Sequence, residues 1–278
     1  RQALAGYLEK GYIAAPHTIY EGIHKLPAGH ILTFQQGQPI KVEPYWSLKS
    51  AIQSSRQDVQ PLLPLQAVQE CHDLLKDVVG RRMMADVPLG AFLSGGIDSS
   101  LVVALMQSQS SQPIKTFTIG FKEKAYDEAD GARQVAQHLR TDHTEYYVTP
   151  QQAQEVIPQL PDLYDEPFAD ASQIPTFLLA KLARQQVTVA LSGDGGDEVF
   201  GGYNRYLLGH RLWRYKQSLP GINILGRLLA KIPPLWWQRL ERLLPSAYHH
   251  LHLADRGEKI AHLFKAKSQQ DVYQVLTT

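Results

Sequence analysis

The stretch Phe92-Leu93-Ser94-Gly95-Gly96-Ile97-Asp98-Ser99-Ser100 decides the fold. It follows a short apolar run, Leu89 to Leu93, that has the length of a buried strand. It leads into residues 98–109, whose spacing predicts a helix. Strand, glycine-rich loop and helix, in that order, place a ligand at the carboxyl edge of an α/β sheet. Two adjacent glycines let backbone N–H groups approach an anion closely. Ser94, Ser99 and Ser100 add hydroxyls at a helix N-terminus, whose dipole favours phosphate. Asp98 alone would repel phosphate, and it makes sense if Mg²⁺ lies between them. The loop is not a Walker A sequence, because no G-x-x-x-x-G-K-[ST] is present. The plainer alternative is a Gly-Gly turn followed by an ordinary Asp/Ser helix cap. Serines on both sides and the buried strand in front favour the ligand loop.

Outward from that loop the pattern repeats. Leu65, Val68, Cys71, Leu74, Leu75, Val78, Val79 and Met83 recur at helical spacing over 65–84. Strands are predicted at 114–120, 142–148 and 187–191, with helices at 127–140, near 150–160 and at 173–186. Short apolar strands alternating with helices indicate βαβ units and a parallel sheet, hence the α/β class. Residues 205–278 hold no clear strand and read as a helical layer interrupted by Pro220, Pro233, Pro234 and Pro245. Residues 1–50 read as a short β-rich segment, with strands at His30–Phe34 and Ile40–Tyr45 around a turn at Gly37-Gln38-Pro39. Residues 51–64, rich in Gln and Ser and closing on Pro61 and Pro64, read as a linker.

Composition narrows the function. The 278 residues carry 28 Lys+Arg and 27 Asp+Glu, a formal net charge of +1. That balance argues against a general nucleic-acid binder. Cys71 is the one cysteine, which excludes an internal disulfide or a cysteine-based zinc cluster and fits a reducing, cytoplasmic setting. No apolar run approaches membrane-spanning length, and no signal peptide is visible at Arg1-Gln2-Ala3. With no initiator Met, the chain reads as a piece of something longer.

A second glycine-rich loop follows the last predicted strand: Ser192-Gly193-Asp194-Gly195-Gly196-Asp197-Glu198-Val199-Phe200-Gly201-Gly202-Tyr203. It brings carboxylates to the same sheet edge, where a cation or an amine could be held. The alternative is an acidic turn with ordinary caps, but two such loops at equivalent strand ends are hard to ascribe to chance.

These residues carry a resemblance. Ser94-Gly-Gly-Ile-Asp-Ser99 resembles the pyrophosphate loop (PP-loop) of the ATP pyrophosphatase superfamily, whose members adenylate a substrate oxygen and release pyrophosphate. The second loop is similar to the S-G-E-G-x-D-E-x-F-G-G-Y signature of glutamine-dependent asparagine synthetases. Ala85-Asp86-Val87-Pro88-Leu89-Gly90 and Asp165-Glu166-Pro167-Phe168 resemble the same family, and the match covers about residues 65–217. Residues 12–30 are similar to the end of that family's glutaminase domain. The resemblance therefore implies a glutaminase remnant over 1–50, a linker over 51–64 and a synthetase domain over 65–278, truncated at its C-terminus. It implies a parallel five-stranded sheet sandwiched by helices, a β-rich N-terminal segment and an all-helical C-terminal region. The glutaminase nucleophile is an N-terminal Cys; this chain starts at Arg1, and Cys71 lies in an apolar helical stripe. By resemblance the chain would use ammonia supplied by a glutaminase domain and could not itself hydrolyse glutamine. No nucleic-acid or membrane partner is implied, and a homodimer is left open.

By the same resemblance, Ser94, Gly95, Gly96, Asp98 and Ser99 hold the ATP phosphates. Asp98 and Asp197 bind Mg²⁺. Phe92 and Ile119 lie on the adenine side, and Ser192 and Gly193 at the ribose and adenine end. Asp194 stands where the family usually has a catalytic Glu acting at aspartate activation; it is one methylene shorter. Phe168 to Ile174 corresponds to the substrate-recognition region, where some relatives place an Arg and this chain has Asp170. The family's late catalytic Lys is expected past Thr278, and Lys231, Lys259, Lys265 and Lys267 match no motif.

The expected reaction is adenylation of the aspartate side chain followed by ammonia attack. Two alternatives stay open: a PP-loop ligase that amidates another carboxylate or closes a β-lactam, and a nucleotide-binding fragment without complete catalysis. Other features read as bland: His249-His250-x-His252 as a surface cluster, Trp213, Tyr215, Trp236 and Trp237 as helix packing, and Arg205, Arg211, Arg214 and Lys216 as a solvated helix side.

Overall fold

A computed structural model describes residues 1–57, 62–121, 128–218, 221, 228, 236, 259 and 261–277. The chain forms two compact units, Arg1–Asp194 and Gly195–Thr278. The first begins with helix α1 (Gln2–Lys10), which ends where Gly11 takes a left-handed conformation and its N–H caps Tyr7. Strands β1 (His30–Thr33) and β2 (Lys41–Pro44) pair as an antiparallel hairpin. Helices α2 (Leu48–Gln57) and α3 (Pro64–Arg82) follow.

The α/β body then runs β3 (Leu89–Phe92), α4 (Ile97–Ser108), β4 (Lys115–Phe121), α5 (Ala129–Leu139), β5 (Asp142–Val148), α6 (Pro150–Val156), a 3₁₀ turn at Ile157–Gln159, α7 (Leu160–Leu163), α8 (Gln173–Ala183) and β6 (Val189–Leu191). The four strands lie in the order β5-β4-β3-β6 and every pairing is parallel. Parallel strands need crossovers, and helices supply them on both faces. On one face Ala91 and Leu93 pack with Val79 of α3, Val103, Leu105 and Met106 of α4, and Ala132 and Ala136 of α5. On the other, Phe117, Ala183 and Val187 form a second cluster with Phe92, Leu179 and Leu182. Each large apolar side chain so buried contributes roughly 1.5–3 kcal/mol. Alternation along β3 sends Ala91 and Phe92 to opposite clusters. Gly90 has no room for a side chain: a Cβ there would lie 2.8 Å from the Lys115 carbonyl and 2.9 Å from the Phe117 ring.

The second unit holds α9 (Gly196–Phe200), α10 (Asn204–Ser218) and α11 (Gln269–Thr277). Tyr206 of α10 stacks on Tyr273 of α11 with ring centroids 5.7 Å apart. Gly209 sits where these helices meet, close to Leu276 and Val272.

Three expectations change. Among the described residues the sheet has four strands, not five. The apolar runs of strand length in the α/β body number four, and each is paired; after β6 the described chain is helical or irregular. Residues 51–57, read as linker, belong to α2, where Ser47 Oγ accepts from the Ser50 N–H and starts the helix. The first fifty residues hold α1 as well as the hairpin. Pro220, Lys231, Pro233, Pro234, Trp237, Pro245, His249, His250 and His252 lie outside the described residues.

Candidate active site

The first glycine-rich loop is shaped by its own hydroxyls. The Ser94 N–H donates to Ser99 Oγ at 3.2 Å, and the Ser94 and Ser99 hydroxyls lie 2.9 Å apart. Gly96 N–H donates to Ser94 Oγ at 3.3 Å, and Ser99 Oγ–H to the Gly96 carbonyl at 3.3 Å. Ser99 is buried. These two serines therefore fold the loop. Gly95 is required twice: its φ is +78°, and a Cβ would come within 2.6 Å of the backbone at Gly131 and Ala132. The first turn of α5 thus rests on the loop. Gly96 is the N-cap of α4 and offers no capping side chain, so the first-turn N–H groups are left for another acceptor. Asp98 stands half-buried in that turn. Its carboxylate makes no hydrogen bond or ion pair among the described residues. Ile97 at the tip is 86% exposed.

The second loop comes against the first. A Cβ on Gly193 would lie 2.6 Å from Ser99 N and 2.9 Å from the Asp98 carbonyl carbon. Only glycine permits that approach. Sequence-predicted residues Ser94, Gly95, Gly96, Asp98, Ser99, Ser192 and Gly193 therefore converge at the carboxyl edge of β3 and β6, which are paired neighbours. Asp194 is exposed and turned back on its own loop, its Oδ2 accepting from Ser192 Oγ at 3.0 Å. Phe92 sends its side chain into the second core cluster, and Ile119 is 8% exposed within β4. At these two positions the backbone, not the side chain, is what an adenine could meet. Gly120, just after Ile119, gives way to the Tyr147 ring, which a Cβ would approach to 2.6 Å.

Asp197 lies in the first turn of α9, in the second unit. Its carbonyl accepts from Gly202 N–H at 3.0 Å, and its carboxylate fills the space that a Cβ on Gly202 would need. Nearby, Glu198 accepts a hydrogen bond from Tyr203 OH at 2.7 Å. That bond holds the Glu198 carboxyl below its ordinary range and raises the Tyr203 phenol. The Arg205 guanidinium lies 4.1 Å over the Tyr203 ring. Arg205 is thus half-buried rather than part of a solvated helix side. This Glu198–Tyr203–Arg205 arrangement was not foreseen; the signal was the Glu and Tyr spaced five apart across Gly201-Gly202.

The loop at 165–170 is also built from local bonds. Asp170 Oδ1 accepts from Ser172 N–H at 2.8 Å just ahead of α8. Tyr164 packs edge-on to Phe168 with centroids 4.8 Å apart and donates to the Gln173 carbonyl. Lys259, Lys265 and Lys267 are exposed.

The family model described as asparagine synthase matches residues 70–277. The chain belongs to the asparagine synthase family. A putative glutamine-hydrolysing asparagine synthetase of Methanocaldococcus jannaschii is 40% identical over 236 residues, 84% of this chain and 44% of that protein. Asparagine synthetase 1 of Bacillus subtilis is 33% identical over 206 residues, 74% of this chain and 31% of that protein. The chain thus spans less than half the length of these relatives. A solved ammonia-dependent NAD synthetase of Campylobacter jejuni covers 72% of this chain and 97% of its own, at 15% identity and a TM-score of 0.35, too distant a likeness to argue from. Both glycine-rich loops fall inside the matched residues. No helix among the described residues is long and apolar enough to cross a membrane.

Proposed function

We propose that this chain is the synthetase part of an ATP-dependent amide ligase that converts aspartate to asparagine. The observation that carries the reading is the seating of Gly193 on the first turn of α4, which joins the two loops at one sheet edge. Ser94, Gly95, Gly96, Asp98 and Ser99 would surround the ATP phosphates. The backbone at Phe92 and Ile119 would face adenine, with Ser192 and Gly193 toward the ribose. The residues present suit a magnesium ion: Asp98 is a half-buried carboxylate, without a protein partner among the described residues, at a helix N-terminus that draws phosphate. Asp98 would help to hold that ion, which when bound neutralises phosphate charge; the assignment of Asp197 to the same ion rests on the family resemblance alone.

The chemistry has two steps. A side-chain carboxylate oxygen of aspartate attacks the α-phosphorus of ATP, and the bond to pyrophosphate breaks. Loop N–H groups stabilise the leaving pyrophosphate, so the chain contributes positioning and electrostatics. Ammonia then attacks the acyl carbon of the adenylate, loses a proton, and expels AMP. Ammonia would come from a glutaminase domain like the one that the relatives' names imply.

One observation favours a second reading within the same chemistry. Asp194, where the family has Glu, is bonded to Ser192, and Asp170 is spent on the Ser172 N–H. Neither is a cation for an amino-acid carboxylate, so another carboxylate, or closure of a β-lactam, stays a rival. Aspartate-dependent exchange of labelled pyrophosphate into ATP tests the choice. Wild type exchanges with aspartate, and Asp98→Ala abolishes the exchange. Activity surviving Asp98→Ala, or an acid other than aspartate driving the exchange best, counts against the reading.

A further inference from the structure

Residues 165–170 enter α8, the crossover helix ahead of β6. A crossover helix runs back against its parallel strands, so its entry loop lies at their carboxyl edge. The two glycine-rich loops leave β3 and β6 at that same edge. The entry loop is gripped from far away in sequence. Glu166 Oε1 accepts from the Ile19 N–H at 2.6 Å. Its other oxygen is paired with the Lys25 ammonium, which also donates to the Ile13 carbonyl at 2.6 Å. Ala169 N–H donates to the Gly11 carbonyl at 2.6 Å, and Tyr20 OH to the Asp165 carbonyl at 3.3 Å. Gly11, in its left-handed conformation, brings this crossing close: a Cβ there would touch Ala169 Cβ at 3.4 Å.

We propose that Lys25 and Glu166 form a latch through which the segment Gly11–Lys25 positions the 165–170 loop and thereby sets binding of the acceptor acid. The proposal rests on the adenylating reading above and deepens it by naming what controls the acceptor side of that site. Lys25 and Glu166 are positioning residues; neither is placed on a reacting atom. The pair is partly exposed, Lys25 35% and Glu166 16%, and its hold comes from the Ile19 N–H and the Ile13 carbonyl sharing the same two side chains. Lys25, with help from the Ile19 N–H, holds the Glu166 carboxyl below its usual range, so that carboxylate stays ionised at neutral pH. Docking alone would not need a side chain that reaches both Ile13 and Glu166. A lysine in that position ties the segment's own fold to the loop, so loss of one disturbs the other.

The test compares the full chain with Lys25→Met, which keeps the stem, and Lys25→Arg, which restores the charge. Amide exchange of residues 165–170 is read without ligands, and KM for aspartate and for ATP in pyrophosphate exchange. Lys25→Met is expected to speed amide exchange there and raise the aspartate KM on the order of ten-fold, with the ATP KM unmoved. Lys25→Arg is expected to recover most of both. Unchanged protection and an unchanged aspartate KM overturn the latch. So does an equal rise in both KM values, which marks general damage. A wild-type chain with no aspartate-dependent exchange refutes the adenylating reading and the acceptor half of the latch together. Amide exchange then still decides whether Lys25 holds the loop.

Discussion

The two glycine-rich loops share one sheet edge but are built differently. The first is closed on itself: Ser94 and Ser99 spend their hydroxyls on loop atoms, and Gly95 is pinned by its φ of +78° and by α5 packed against it. The second is held at one end by Gly193 against α4, and its Ser192–Asp194 stretch is otherwise tied by exposed bonds between those two residues alone. The first loop is tied to itself and leaves the first-turn N–H groups of α4 without a side-chain cap. The second is seated at Gly193, and its Asp194 carboxylate is exposed and held by Ser192. Tight support falls on the loop that we propose surrounds the ATP phosphates, and looser support on the loop that we propose lies toward the acid.

Breaking the first loop should cost most. Gly95→Ala forces a side chain into positive φ and into the α5 backbone. It is expected to destabilise the chain by about 2 kcal/mol or more and to abolish measurable Mg·ATP binding. Thermal melting and titration check both. Loosening the second loop should cost least. Ser192→Ala removes those exposed bonds, so stability should change by less than about 0.5 kcal/mol. Its aspartate-dependent rate should shift about three-fold, because Asp194 is released. If Ser192→Ala proves as damaging as Gly95→Ala, the loops are not unlike.

Much of this was legible in the sequence, because local rules govern it. All four body strands were expected within two residues or so of their ends, since parallel strands covered on both faces read as short apolar runs. Both loops were marked by glycines whose need is steric. The helix α2 was misread because its Gln and Ser content resembled a linker. Ser54 and Ser55 in fact return hydrogen bonds to carbonyls four residues back, and the Ser47 cap was the overlooked signal. The Lys25–Glu166 pair joins residues 141 positions apart (166 − 25), and no local periodicity announces such a contact. The five-strand expectation came from family likeness rather than from the apolar runs, which number four.

The central claim is that the two loops make one ATP site. Calorimetric titration of Mg·ATP into the wild-type chain and into Gly193→Ala tests it most directly, because that methyl group would meet the α4 backbone at 2.6 Å. The account predicts that wild type binds and that Gly193→Ala binds on the order of ten-fold more weakly while melting within a few degrees of wild type. Equal affinity in the two chains, or no binding to the wild-type chain, would contradict it.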